Sequence, residues 1–204
     1  MQHIHAFETG ANDTRSSEVL KSIQHIDHIT FVDNYKNEQT FIERWKMLGF
    51  SELSRWHTDD FPAIHIALTS GQTPSFPWAT MTGLSVSQDP HSSINEFIHR
   101  YGPGMQHVAY NIDPESDMEI LQEELKKLGW NFMTPVLTYK DHVGSRLRQT
   151  FTAPTSPHGT FIELVQRIPG PDGSPYAGFD TQNIDDLYRA YYDYSIWLEN
   201  KGAA

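Results

Sequence analysis

Apolar residues along this chain keep two rhythms, one of period two and one between three and four, and each rhythm predicts an element. In IDHITFVDN (26–34) β-forming residues alternate, which predicts a strand with Ile26, His28, Thr30 and Val32 on one face. NEQTFIERWKMLGF (37–50) is apolar at 41, 42, 45 and 48, a helical spacing that Gly49 ends. Three strands are expected next, at 51–58, 63–69 and 79–87, the last two separated by the Gly/Pro-rich SGQTPSFPW (70–78). DPHSSINEFIHR (89–100) predicts a linking helix with Ile94, Phe97 and Ile98 on one side, and GPG (102–104) breaks the chain.

The series then begins again. MQHVAYNI (105–112) predicts a strand, and DMEILQEELKKLGW (117–130) a helix with Ile120, Leu121, Leu125 and Leu128 at helical spacing and Gly129 as its stop. Strands follow at 131–139, 145–154 and 160–168. A last helix, 181–199, gathers Ile184, Leu187, Tyr188, Tyr191 and Leu198 on one side, with Asp185 and Asp186 in its first turn. Strand, helix and three strands therefore occur twice, and the landmarks register: His28 answers His107, and LGF (48–50) answers LGW (128–130). Two βαβββ units that cannot close alone predict an α+β fold, the modules paired around a shared half-barrel cleft. The expected division is a weakly ordered leader (1–23, with a short helix near 16–24), a first module with its linking helix (24–100), a second module (101–170) and a C-terminal lid helix (171–204).

Composition narrows the function classes. The chain has 204 residues, 38 % of them hydrophobic, enough for one substantial core. A net charge of −11 argues against nucleic acid or an anionic membrane as the main partner. Without Cys there is no disulfide framework, thiolate metal site or thiol nucleophile. No apolar run approaches the ~20 residues that span a bilayer, and the first residues lack the apolar core of a signal peptide, so a cytoplasmic protein is expected.

Candidate chemistry centres on GTFIELVQR (159–167), a strand pattern with one acid in it, Glu163. A carboxylate inside such a strand needs a cation or hydrogen bonds to satisfy it. Alone, such a Glu is usually a partnered core residue or an edge residue facing water, and a lone His is usually structural. A His at the same place in both repeats, with an acid in a closing strand, outweighs those readings. Strand parity puts Glu163 on a face with Phe161 and Val165, and His107 on one with Met105 and Ala109. Two imidazoles and one carboxylate make the facial triad that suits non-haem Fe(II), with other divalent metals as alternatives. The first-module counterpart of Glu163 falls near residue 83 or 84, where TGLSVS offers no acid, which favours three ligands and an open metal over a closed structural site. Other features are weaker. Asp59 and Asp60 near His57 read as a solvated turn, Arg146 and Arg148 as surface residues, and Gly102 and Gly104 precede a strand rather than the helix a phosphate loop would need.

These features resemble the vicinal oxygen chelate superfamily and, within it, the catalytic half of 4-hydroxyphenylpyruvate dioxygenase. IDHITFVDN is similar to that family's first-His strand, SSINEFIHRYGPGMQHVAYNI to its helix, glycine break and second-His strand, and RQTFTAP with GTFIELVQRI to its last two strands. GFDTQNIDDLYRAYYDYS (178–195) is similar to the C-terminal helix that covers the site there, so the resemblance runs over residues 24–195. It implies iron held by His28, His107 and Glu163, with O2 as co-substrate. Gln106 and Gln149 would be polar pocket groups, Phe151 and Phe161 would flank an aromatic ring, and Phe179, Asn183 and Leu187 would belong to the lid. The substrate would be a small aromatic α-keto acid or similar chelating molecule. Modules of this kind often associate, which leaves a homo-oligomer open.

The chain also departs from the family. Its length leaves no room for the family's additional N-terminal pair of modules. Thr82 stands where an Asn is expected, Ser93 where a pocket Gln is expected, and His65 aligns with a pocket Ser. Such changes remove amides that could hold a substrate hydroxyl, and buried hydrogen bonds of that kind discriminate by orders of magnitude. A metal-dependent isomerase or epimerase of the same fold, without O2 chemistry, is the first alternative. A non-catalytic small-molecule-binding protein is the second.

Overall fold

The computed structural model describes residues 21–58, 63–71, 81–154, 158–174, 176 and 181–200, and for residues 181 and 197–200 the backbone alone. Asp59, Asp60, Phe179, the side chain of Leu198 and most of the 70–78 and 1–23 segments lie outside the described residues.

Eight strands form one mixed sheet. They are β1 (Ile23–Val32), β2 (Ser51–Thr58), β3 (Ala63–Thr69), β4 (Met81–Val86), β5 (Gly104–Ile112), β6 (Leu137–Lys140), β7 (Arg146–Phe151) and β8 (Phe161–Ile168). The order across the sheet is β2-β3-β4-β1-β5-β8-β7-β6. Each half repeats one plan: the first strand lies parallel to the last (β1 with β4, β5 with β8), and the middle strands continue outward in antiparallel pairs. The halves meet where β1 runs antiparallel to β5. Two βαβββ modules thus share one curled half-barrel sheet, the α+β arrangement expected from the repeat.

Among the described residues four helices cover the sheet: α1 (Glu38–Met47), α2 (Ser93–Tyr101), α3 (Met118–Lys127) and α4 (Thr181–Asn200). The repeated LGF and LGW are the same helix stop used twice. Phe50 N donates to the Trp45 carbonyl and Gly49 N to that of Lys46, and Trp130 and Gly129 repeat both bonds onto Leu125 and Lys126. Gly49 and Gly129 take φ of 89° and 94°, the left-handed conformation this cap requires. Ser92 and Asp117 start α2 and α3 by accepting from the backbone N–H of Asn95 and Ile120. On one face of the sheet α1 buries Ile42 against Ile66, Leu68 and Leu84, and α3 buries Met118 and Leu121 against Ile112 and Leu164. α2 and α4 meet in another cluster, where Ile94, Phe97, Leu187, Tyr188 and Tyr191 pack with Val32, Phe151 and Phe161. No helix among the described residues is long and apolar enough to cross a membrane.

Two expectations need correction. The 131–139 segment is not one strand. Only Leu137–Lys140 pairs as a strand, and Phe132 makes an isolated bridge to Thr152. Pro135 lacks the N–H that a continuous ladder would use.

Simple alternation also fails just before each histidine. In the β1–β5 register β1 advances from Ile26 to His28 while β5 moves only from Tyr110 to Ala109. Further on, β5 moves from His107 to Met105 while β1 advances only from Thr30 to Phe31. Asp27 and Gln106 are therefore the extra residues of two bulges, which turn them inward beside the histidines. Ile26 and Met105, placed by parity on the histidine faces, are instead 46 % and 40 % exposed.

Candidate metal centre

His28 on β1, His107 on β5 and Glu163 on β8 come from three strands that lie side by side, and all three are buried. The sheet sets their spacing: Thr30 pairs with His107, and Ala109 with Glu163. Glu163 Oε2 lies 3.3 Å from His28 Nε2 and 3.5 Å from His107 Nε2, and the two Nε2 atoms are 3.3 Å apart. A metal–ligand bond of about 2.1 Å gives an octahedral face with edges of about 3.0 Å, so the triangle is close to the size of one such face.

The other nitrogen of each ring is already engaged. His28 Nδ1 is 2.9 Å from Asp27 Oδ1, and His107 Nδ1 is 3.2 Å from Gln106 Oε1. These oxygens only accept, so each Nδ1 carries a proton and Nε2 is the atom left to face the centre. Glu163 Oε1 is buried without a hydrogen-bond partner. An unsatisfied buried carboxylate oxygen beside two inward-facing imidazoles fits a bound cation, and the three residues could hold one.

Electrostatics agree. Burial disfavours charge on His28, but Glu163 and then Asp27 outweigh it and raise the ring's pKa from 6.5 to about 9. Burial, followed by the charge on His28, pushes His107 well below 6.5. Asp27 is also buried, which opposes its charge. Arg167 and His28 nevertheless hold its carboxyl far below the usual range.

The register also resolves which residue is Glu163's counterpart. His107 pairs with Phe161 as His28 pairs with Met81, so Ala109–Glu163 corresponds to Thr30–Gly83. Gly83 offers no ligand, and a Cβ there would lie 2.7 Å from Thr30 Oγ1.

The triad opens into a cleft. Trp56, Ala67, Met81, Phe151, Leu187 and Tyr188 give it apolar walls, and Thr30, His65, Ser85, Gln149 and Asn183 supply polar groups. Of the predicted pocket residues, His65, Gln149 and Phe151 border it with their side chains, and Thr82, whose side chain faces α1, with its backbone. Gln149 Nε2 donates to the Asn183 carbonyl on α4, and Thr82 Oγ1 to the Ile29 carbonyl. His65 has both ring nitrogens engaged, Nδ1 with Ser85 (2.8 Å) and Nε2 with Thr58 (3.3 Å). Burial, then the nearby His57, lowers its pKa to about 3, so it stays neutral.

Three predicted residues are placed elsewhere. Phe161 lies behind the site, its ring stacked on His107 at 5.1 Å, so only Phe151 of the expected pair forms cleft wall. Gln106 sits behind His107, and Ser93 is buried at the start of α2. Sequence reasoning missed Tyr188, whose hydroxyl donates to Gln106 Oε1 (3.4 Å) and whose ring lies 5.0 Å from that of His65. It also missed Thr30 as cleft wall, and Asp27 with Arg167. The position of Asp27 directly before His28, and of Arg167 at the end of GTFIELVQR, was the available signal for the last two.

No family model and no curated protein sequence matches the chain. Among solved structures it is similar to a mutant of 4-hydroxymandelate synthase from Streptomyces coelicolor, with a TM-score of 0.64 and 22 % identity over 81 % of this chain and 53 % of that one. The chain thus spans about half the length of that enzyme. It is also similar to a variant of methylmalonyl-CoA epimerase from Streptomyces coelicolor in complex with 2-nitronate-propionyl-CoA (TM-score 0.53, 20 % identity, 71 % of this chain and 98 % of that one). Methylmalonyl-CoA epimerase from Mycobacterium tuberculosis is a third (TM-score 0.52, 23 % identity, 72 % and 91 %). At these identities the likeness is one of fold.

Proposed function

Starting from the vicinal oxygen chelate fold that the chain shares with these enzymes, we propose that it is an Fe(II)-dependent oxygenase acting on a small aromatic α-keto acid or a similar chelating molecule. The observation that carries this reading is the convergence of His28, His107 and Glu163 with Gly83 at the position that could have supplied a fourth ligand. Fe(II) held by the three residues would supply a Lewis acid for two substrate oxygens and the electrons that activate O2.

The chain's own residues do the rest. The walls formed by Trp56, Ala67, Met81 and Phe151 exclude water and accept a flat apolar group, while α4 covers the cleft with Leu187 and Tyr188. No Lys or Arg lines the cleft among the described residues, so the charge of a substrate carboxylate would be met at a metal held by His28, His107 and Glu163.

The fold similarity to epimerases gives weight to a second reading, a metal-dependent epimerase that polarises a carbonyl. An epimerase must move a proton, which needs a positioned base. Outside the triad, the titratable residues lining the cleft among those described are His65 and Tyr188. Both ring nitrogens of His65 are engaged, and burial pushes the Tyr188 phenol up to about 12. Neither is suited to take a proton, which favours the oxygenase. Oxygen uptake against a panel of aryl-pyruvates decides. Protein reconstituted anaerobically with Fe(II) is expected to consume O2 only when keto acid is present, and His107→Ala to consume none. Metal-dependent turnover of a carbonyl substrate without uptake would support the epimerase, and tight ligand binding that survives a chelator would support a binding protein.

A further inference from the structure

The two bulges place unlike residues behind the two histidines. Behind His107 stands a neutral amide, Gln106, whose Oε1 also accepts from Tyr188 on α4. Behind His28 stands a carboxylate that is itself clamped. Arg167 donates from Nε to Asp27 Oδ2 (2.8 Å) and from Nη2 to Oδ1 (3.0 Å), while Nη1 holds the Tyr176 carbonyl (3.1 Å). Asp27 Oδ1 is thus shared between the guanidinium and the imidazole.

Stability alone does not account for this arrangement. An apolar replacement for a buried ion pair of this kind is often neutral or stabilising, because desolvation offsets the attraction. The clamp does something a packed apolar pair could not. β1 and β8 are not neighbours in the sheet, since β5 lies between them. Arg167 sits on β8 four residues after Glu163, and Asp27 sits on β1 directly before His28. The Asp27–Arg167 pair therefore bridges across β5 and ties the strand that carries one ligand to the strand that carries another.

We propose that Asp27, clamped by Arg167, is a positioning residue for the metal: it fixes the ring of His28 with Nε2 inward and sets the separation of His28 from Glu163. His28 becomes the anchored arm of the site and His107, on a neutral amide, the compliant one. This inference rests on the metal reading above. Outer partners of a metal-bound His contribute about 10–100-fold in metal affinity.

Equilibrium Co(II) binding and the Co(II) absorption spectrum, read on the metal-free protein and independent of turnover, provide the test. Asp27→Leu is expected to bind Co(II) about 10–100-fold more weakly, with a shifted spectrum. Asp27→Asn keeps an acceptor oxygen and should recover part of the loss, whereas Gln106→Leu should lose less than Asp27→Leu. If Asp27→Leu fails to fold by circular dichroism, Arg167→Gln carries the test, since it leaves the carboxylate beside His28 but unclamped. A several-fold loss with a shifted spectrum is then expected. Wild-type affinity and spectrum in these variants would overturn the inference, as would an equal or larger loss in Gln106→Leu. Wild-type protein that binds no Co(II) would overturn the metal reading itself, and this inference with it.

Discussion

Thr30 and Gly83 in one module occupy the places that Ala109 and Glu163 occupy in the other. The small Ala109 leaves room for the Glu163 side chain, while Thr30 fills the space above Gly83. One pair builds a candidate ligand and the other builds cleft wall. Gly83→Ala is expected to destabilise by about 1–3 kcal/mol, because its Cβ would press on Thr30 Oγ1 in a packed interior. Adding Thr30→Ala removes that oxygen, so the double variant should be less destabilised than the sum of the two single variants. Urea denaturation of all three measures the coupling, and strict additivity would show that the crowding is absent. The sequence alone placed the missing acid near 83 or 84, because matching by offset is blind to where one module has gained or lost a residue. Strand register chooses Gly83.

At the scale of elements, repeated caps and helical faces were legible because local chemistry sets them. LGF and LGW end their helices identically, and Leu187, Tyr188 and Tyr191 are buried on α4 as their spacing predicts. What failed to show were effects of pairing. A bulge is a one-residue slip between two strands, and alternation within one strand cannot reveal it. Alternation therefore put Ile26 and Met105 on the histidine faces and gave no sign that Asp27 turns inward beside His28. Asp27–Arg167 was missed for a related reason, since its members lie far apart in sequence and meet only once β1, β5 and β8 are in register. The tie between α2 and the turn before β8 gives a prediction at this scale. Gly159 and Gly173 both have positive φ, 73° and 80°. A Cβ on Gly159 would overlap the Tyr101 ring at the end of α2, whereas one on Gly173 would meet nothing. Gly173→Ala should cost about 1 kcal/mol from the backbone alone, and Gly159→Ala at least about 1 kcal/mol more. Equal losses in chemical denaturation would mean that the Tyr101 contact carries no weight.

For the whole molecule, two copies of one module give a site that neither could build alone. β1 supplies one histidine, β5 the other, and β8 the carboxylate, so the candidate centre sits astride the β1–β5 seam. The repeat was legible in sequence, and with it the three residues. The shape of the cleft was less so: Phe161 supports His107 from behind and Tyr188 enters from α4, because helix docking and strand curvature decide which side chains reach the interior. The central claim is that this seam holds one metal through three side chains. The most direct measurement is an anaerobic equilibrium titration with Fe(II) of wild type and Glu163→Ala, each checked by circular dichroism. Wild type should bind a single equivalent, and the folded Glu163→Ala protein should bind more than about 100-fold more weakly, a larger loss than an outer partner accounts for. Wild type that binds no Fe(II), or folded Glu163→Ala that binds it with unchanged affinity, would contradict the account.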